Sequence, residues 1–337
     1  MGIGRTGILW SVGLLFFLAS FPAHAAKCGL LKIASFPIFA ERTNAVTVPI
    51  AVNGATETFL VDTGGIYSSL TKPTVEALHL KPQRVSSGAR FYMADGTMLD
   101  HYVTVDTLGI GPAHARWTKM LVDPGSAATG TDTVQGILAA NVLRNFDLDF
   151  DFAHRTLNLI SPKHCEGQVV YWTRAYAVVP FALADDLKVE VPVTLDGHAF
   201  KAIIDTGSSR TAIRLGAAVH DFGLTPESPG MIPVRNVTQN SVVLFRYRFK
   251  TLVIGGITVS NPLFGILSDA ESKRFWKESG YDWLANDPIY GLGFKPKPIV
   301  LGLDILKKLH IYISYDEKKL YVTAAGRPGK PSVAGAH

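Results

Sequence analysis

From about residue 45 onward, apolar and polar positions alternate in short runs, and Gly, Asn or Asp interrupts them every few residues. A period of two marks half-buried strands, whereas an amphipathic helix repeats near 3.6. One run reads Pro49-Ile50-Ala51-Val52, then Asn53-Gly54, then Phe59-Leu60-Val61-Asp62. Another reads Pro192-Val193-Thr194-Leu195, then Asp196-Gly197, then Ala202-Ile203-Ile204-Asp205. Asn-Gly and Asp-Gly between apolar runs predict tight hairpins, because both residues of such a turn take positive φ. Helical periodicity is scarce. Short helices are predicted near 72–78, 141–144 and 303–308, with one or two more within 268–298.

The two hairpins are copies, displaced by 143 residues. A second match lies downstream. Gly136-Ile137-Leu138-Ala139-Ala140-Asn141-Val142-Leu143 resembles Ile299-Val300-Leu301-Gly302-Leu303-Asp304-Ile305-Leu306, and a strand, a turn and a second strand follow each. Here the displacement is 163 residues, from Gly136 to Ile299, so the second copy carries an insertion, placed near 268–298. The reading is a mainly β chain of two related lobes, 45–164 and 179–325, joined by 165–178, with a cleft between them. The Gly/Pro/Ala-rich tail 326–337 is expected to fray.

The first residues carry different signals. Arg5 precedes a short apolar stretch from Ile8 to Leu18, and Ala23-His24-Ala25 supplies a small-x-small cleavage site. This predicts a signal peptide over 1–25, a mature N-terminal segment over 26–44, and export to the periplasm or beyond. The apolar stretch is shorter than the ~20 residues of a membrane span, so no stable span is expected after cleavage. In an exported chain Cys28 and Cys165 are expected to form a disulfide, the alternative being two free thiols. The net charge of +5 is spread without a basic stripe, which argues against a nucleic-acid partner. His101, His114, His154, His198, His220 and His310 lack metal-ligand spacing, and His164 merely adjoins Cys165, so neither a metal nor a cofactor is expected. No Gly-x-Ser-x-Gly elbow supports a serine hydrolase.

The candidate chemistry sits where the repeat is tightest. Asp62-Thr63-Gly64 and Asp205-Thr206-Gly207 each end an apolar strand with a carboxylate at a turn. The Gly permits close backbone approach, and the Thr hydroxyl can return to main chain and fix the turn. Two such turns can face each other across a pseudo-twofold axis. Carboxylates in contact cannot both ionise, so they share one proton. The ionised member can then take a proton from an attacking water while the protonated member donates to a carbonyl oxygen.

On these motifs, with Ser208 after the second triplet and Val300-Leu301-Gly302 downstream, the chain resembles the aspartic peptidases of the pepsin and retropepsin clan. The resemblance covers roughly residues 45–325 and implies the acid-protease fold. It also implies peptide-bond hydrolysis by a water held between Asp62 and Asp205, with Thr63 and Thr206 making crossed hydrogen bonds. Gly64, Gly207 and Ser208 would support the pair, and peptides or proteins would be the substrates. Since one chain holds both motifs, a monomer is expected. Phe91-Tyr92-Met93-Ala94-Asp95-Gly96-Thr97 resembles the clan's flap hairpin, with Tyr92, Asp95 and Gly96 near its tip. The chain departs from the pattern in carrying Gly65, Ala139 and Asn141 where its second lobe has Ser208, Gly302 and Asp304. The missing hydroxyl at Gly65 implies an unequal pair, because a hydroxyl there can bind the outer carboxylate oxygen. A non-catalytic peptide- or protein-binding member of the same fold is the alternative, and an exported structural protein is a third reading.

Overall fold

The computed structural model describes residues 28–38, 45–86, 91–93, 97–125, 134–183, 187–225, 227–234, 243–267 and 298–326. Almost all regular structure among them is β. Both predicted hairpins form. Strand Thr47–Val52 pairs with Ala55–Asp62, and Val189–Leu195 pairs with His198–Ile204. Their turns have positive φ at both residues, 50° and 90° at Asn53 and Gly54, 45° and 88° at Asp196 and Gly197. That is the turn whose twist suits paired strands.

Each hairpin then receives a strand from far along the chain. Gly136–Ala139 runs parallel to Ala55–Asp62, placing Ala139 beside Asp62, and Ile299–Leu301 runs parallel to His198–Ile204. On its other side each added strand pairs antiparallel with a short strand, Ser69–Thr71 in the first lobe and Ala212–Arg214 in the second. The chain thus leaves the sheet at each Asp, turns, and re-enters beyond the added strand. Both Asp residues are therefore held at loops between fully paired strands.

A six-stranded sheet joins the lobes, with two central strands from each, flanked by one from the N-terminal segment and one that begins in the connection. Its order is Lys32–Pro37, Thr156–Ile160, Asp147–Asp151, Leu309–Ser314, Lys319–Ala324, Ala177–Pro180. At its centre Leu148 faces Ile313, Asp149 faces Tyr312, and Phe150 faces Ile311. Under the 163-residue displacement Tyr312 is the counterpart of Asp149, so the pseudo-twofold axis passes through this pair.

The central strands bury charge as well as apolar surface. Asp149 accepts hydrogen bonds from Asn158 at 2.8 Å and from the Tyr171 hydroxyl, and pairs with His310 Nε2 at 2.7 Å. Asp147 pairs with His164 Nε2 at 2.6 Å and accepts from Tyr312 at 3.0 Å. Trp172 stacks on His310 at 3.9 Å between ring centroids. These partners satisfy the buried polar groups, since an unpaired buried carboxylate is costly. Cys28 and Cys165 are joined in a disulfide, which ties the first described residue to the connection behind this sheet.

Helices follow the predicted positions at Lys72–Ala77, Ala140–Leu143 and Leu303–Leu306. One was not anticipated. Leu215–Phe222 occupies the place in the second lobe that Lys72–Ala77 holds in the first, and ends at Gly223 with φ of 65°. Glycine there closes a helix without a Cβ penalty. Most of the predicted insertion, like the signal segment and nearly all of the tail, lies outside the described residues. No helix among the described residues is long and apolar enough to cross a membrane.

Candidate active site

Asp62 ends its strand and Asp205 directly follows the end of its own, on either side of the pseudo-twofold axis, and the loops that follow are locked to each other. The Thr63 amide donates to Thr206 Oγ1 at 3.2 Å, and the Thr206 amide donates to Thr63 Oγ1 at 3.1 Å. Each hydroxyl then donates across the lobe boundary, Thr63 to the Ile204 carbonyl and Thr206 to the Val61 carbonyl, both at 2.7 Å. Both threonines are fully buried. Four mutually dependent hydrogen bonds fix the separation of the two strands from which the carboxylates project.

The loop amides orient each carboxylate in the same way. Asp62 Oδ1 accepts from Gly64 at 2.9 Å and Gly65 at 2.8 Å, and Asp205 Oδ1 accepts from Gly207 at 2.9 Å and Ser208 at 3.0 Å. The glycines are required by packing across the axis. A Cβ on Gly64 would lie 2.6 Å from both Asp205 oxygens, and one on Gly207 would lie 2.5 Å from the Asp62 carboxyl carbon. Each lobe's glycine thus makes room for the other lobe's acid.

A second lock lies beneath each loop. Asn141 Oδ1 accepts from the Ser68 amide and hydroxyl at 2.9 and 2.8 Å, and Asp304 Oδ1 accepts from the Thr211 amide and hydroxyl at 2.8 and 2.7 Å. Ser68 and Thr211 accept in turn from the amides of Ala139 and Gly302. Asn141 and Asp304 therefore do the same work with different head groups. The Ser68 and Thr211 half of this lock was not singled out from sequence, although the 143-residue displacement relates the two positions.

The expected inequality at Gly65 is corrected by the geometry. Ser208 turns its hydroxyl to the Arg210 carbonyl at 2.8 Å, so Gly65 costs Asp62 no hydrogen bond that Asp205 receives. A Cβ at Gly65 would lie 2.6 Å from Asp62 Oδ2 and 3.3 Å from the Ala139 methyl. The methyl on Ala139 and the bare Gly65 are thus reciprocal to Gly302 and Ser208 in the other lobe.

The two carboxyl groups are close enough that each shifts the other's pKa. Burial raises the Asp62 pKa, against the opposing effect of the Gly65 and Gly64 amides and of a hydrogen bond from Asp205. Burial, and then the charge of Asp62, push Asp205 up further, to about 7. Both effects penalise a second negative charge, so the pair favours retaining one shared proton. Lys188 lowers both values from nearby. It was missed in sequence because nothing local marks its relation to the pair.

The segment expected to be a flap, 91–97, is partly described. Phe91–Tyr92 pairs antiparallel with Met98–Leu99, and Met93 donates to Thr97 at 2.9 Å. Phe91 packs edge-on against Tyr67, five residues beyond Asp62, at 5.0 Å between centroids. The hairpin base therefore adjoins the first Asp loop, while Asp95 and Gly96, and the side chain of Tyr92, lie outside the described set. No cluster of His, Cys, Asp or Glu among the described residues could hold a metal ion.

The arrangement has a counterpart among known sequences. A family model described as aspartyl protease matches residues 48–142 and 191–289, more than half the chain and parts of both lobes. The chain belongs to the aspartyl protease family. Among solved structures, an aspartic proteinase from Irpex lacteus is 14% identical, with 86% of this chain and 97% of that one covered and a TM-score of 0.46. A retropepsin-like aspartic protease from Rickettsia conorii is 20% identical, with 38% of this chain and 89% of that one covered and a TM-score of 0.28. No curated protein matches this aspartyl protease chain.

Proposed function

We propose that this family member is an active aspartic endopeptidase, exported and working as a monomer, with Asp62 and Asp205 as its catalytic pair. The observation that carries the reading is the crossed threonine lock, which holds together the loops of two carboxyls that shift each other's pKa, so that a single shared proton is favoured. Ionised Asp62 takes a proton from a water that attacks the peptide carbonyl carbon. Protonated Asp205 gives its proton to the carbonyl oxygen, forming a neutral gem-diol. As the carbon–nitrogen bond breaks, Asp62 passes its proton to the leaving nitrogen, and Asp205 recovers one from the gem-diol hydroxyl. Protons balance over the cycle, and water is consumed. The flap hairpin, with Tyr92, Asp95 and Gly96, covers the bound peptide in this reading.

The disulfide suits an oxidising compartment and so supports export. Digestion of a denatured protein mixture from pH 3 to 8 tests the activity. Cleavage is expected from the chain and not from Asp62→Asn or Asp205→Asn. A folded wild-type chain that cuts nothing at any pH would leave a peptide-binding member of the family as the reading.

A further inference from the structure

The joint between the lobes holds two buried imidazoles, and they are bonded differently. His310 meets Asp149 through Nε2 at 2.7 Å, while its Nδ1 is 4.0 Å from Asp151, beyond hydrogen-bonding distance. A neutral imidazole satisfies that arrangement, because only one ring nitrogen needs a proton. His164 has an acceptor at each nitrogen. Nε2 lies 2.6 Å from Asp147 Oδ2, and Nδ1 lies 3.2 Å from the Cys165 carbonyl oxygen and 3.6 Å from Glu317 Oε1. A carbonyl has no proton to give, so Nδ1 must carry one. A second proton must lie between Nε2 and Asp147, on the ring or on the carboxyl. The folded pair therefore holds two protons, whereas the same two groups in an unfolded chain above pH ~6.5 hold one.

The partners of His164 belong to opposite lobes. Asp147 opens the first-lobe strand Asp147–Asp151, and Glu317 lies in the turn between the second-lobe strands Leu309–Ser314 and Lys319–Ala324. Both carboxyl side chains are buried, as is the His164 ring, 2% exposed. Asp147 also accepts from Tyr312 of the second lobe at 3.0 Å, and Ser314 and Tyr315 are its other polar neighbours. Glu317 accepts from the Gly167 amide at 3.0 Å and from the Tyr321 hydroxyl, with Lys319 at 3.6 Å. Lys319 is itself drawn outward to the exposed Glu166, at 2.5 Å.

With its second proton, the His164 pair lets the ring stand between two buried acids of opposite lobes with both nitrogens bonded. Loss of that proton breaks one of these hydrogen bonds and leaves a negative charge on the pair, facing Glu317 across a neutral ring. Both changes are costly in a buried site. Burial opposes charge on His164, but Asp147 and the Cys165 carbonyl outweigh it and raise its pKa, and burial raises Asp147 as well. These directions agree with the proton count that the hydrogen bonds require.

We propose that His164 is a proton-operated latch between the lobes, closed while the His164–Asp147 pair holds two protons and released on the alkaline side, where the joint loosens ahead of the hairpins inside each lobe. The latch goes beyond the peptidase reading and is independent of it, since it concerns the joint behind the dyad and not the dyad. Because the folded pair binds the proton more tightly, its contribution is fully present below ~6.5 and is lost as pH rises through the folded value.

The test is amide hydrogen exchange from pH 6 to 9, corrected for the intrinsic rate at each pH. It compares strands Asp147–Asp151 and Leu309–Ser314 with the hairpins of 47–62 and 189–204. Protection of the joint is expected to fall relative to the hairpins by up to about tenfold per pH unit above ~6.5, the effect of one proton. His164→Gln retains an amide that can donate to Asp147 and does not titrate, so it should abolish the relative fall. His310→Gln should leave the fall in place, and so should Asp205→Asn, in which the dyad no longer shares a proton. Nitrogen and carboxyl-carbon NMR of the wild-type chain should count two protons on the His164–Asp147 pair at pH 7, and this measurement decides alone where His164→Gln does not fold. One proton on the pair at pH 7, a joint no more sensitive to pH than the hairpins, or a relative fall that survives in His164→Gln overturns the latch, and each leaves the peptidase reading untouched.

Discussion

The two lobes are built on one plan and agree where an aspartate must be held. Thr63 and Thr206 trade the same hydrogen bonds, Gly64 and Gly207 clear the same space, and Asn141 and Asp304 accept from equivalent amides and hydroxyls. They disagree at other positions related by the displacement, with Ala45 and Tyr67 in one lobe and Lys188 and Arg210 in the other. Reciprocal changes also appear in the layer between, where Gly65 with Ala139 corresponds to Ser208 with Gly302. The hardware of the acid pair is thus symmetric while its surroundings are not, an asymmetry that suits the different roles the two carboxyls take in the proposed reaction.

The largest effect that would break this comparison is loss of either acid. Asp62→Asn and Asp205→Asn are each expected to lower the rate of peptide cleavage by about a thousandfold or more, since one group is both proton acceptor and donor in the cycle. Retention of activity in one of them would show that the lobes are not equal partners. Next in size is the interlobe sheet. Asp149→Ala strips His310, Asn158 and Tyr171 of a shared buried partner, and is expected to cost about 3–5 kcal/mol in denaturant unfolding.

Thr63→Val and Thr206→Val should follow, each leaving a buried amide of the other lobe without its acceptor, at about 1–3 kcal/mol. Because the lock is reciprocal, the double variant should cost less than the sum of the two, and additive losses would show two independent bonds instead.

A pH effect of moderate size follows from the charged groups. Asp62, Asp205 and Asp147 all have raised pKa values, burial being the main cause. Burial opposes charge on His164, but Asp147, the Cys165 carbonyl and Glu317 outweigh it and raise that group also. In each case the folded chain holds its proton more tightly than the unfolded chain. The resulting stability is fully present below the unfolded values and is lost as pH rises, for Asp205 through about 7. Thermal unfolding at pH 5 should therefore have a higher midpoint than at pH 8. The smallest effect belongs to Ser208→Ala, which removes the hydroxyl bond to Arg210 for about 0.5–1.5 kcal/mol and should leave the pH dependence of cleavage where it is.

Much of this was legible in sequence because the signals are local. Asn53-Gly54 and Asp196-Gly197 dictate hairpins through their φ values, and the Asp-Thr-Gly triplets carry their own turn chemistry. Even the inserted strands could be placed, since Gly136 to Leu143 and Ile299 to Leu306 repeat. The helix Leu215–Phe222 escaped because Gly216 sits in its first turn, and Gly223 reads as a stop only once the helix is known. The buried pair of Asp149 with His310 joins residues 161 apart, and nothing local in either neighbourhood marks it. Lys188 was invisible for the same reason, since its effect on both acids depends on the folded chain and not on spacing along the sequence.

The most direct measurement is a carbon NMR titration of the aspartate carboxyls in the wild-type chain and in Asp62→Asn. A coupled pair predicts two steps in the wild type, the upper near pH 7, and an Asp205 step that moves down when Asp62 can no longer charge. Two independent titrations near the ordinary carboxylate value, unchanged by Asp62→Asn, would contradict the claim that these acids share a proton.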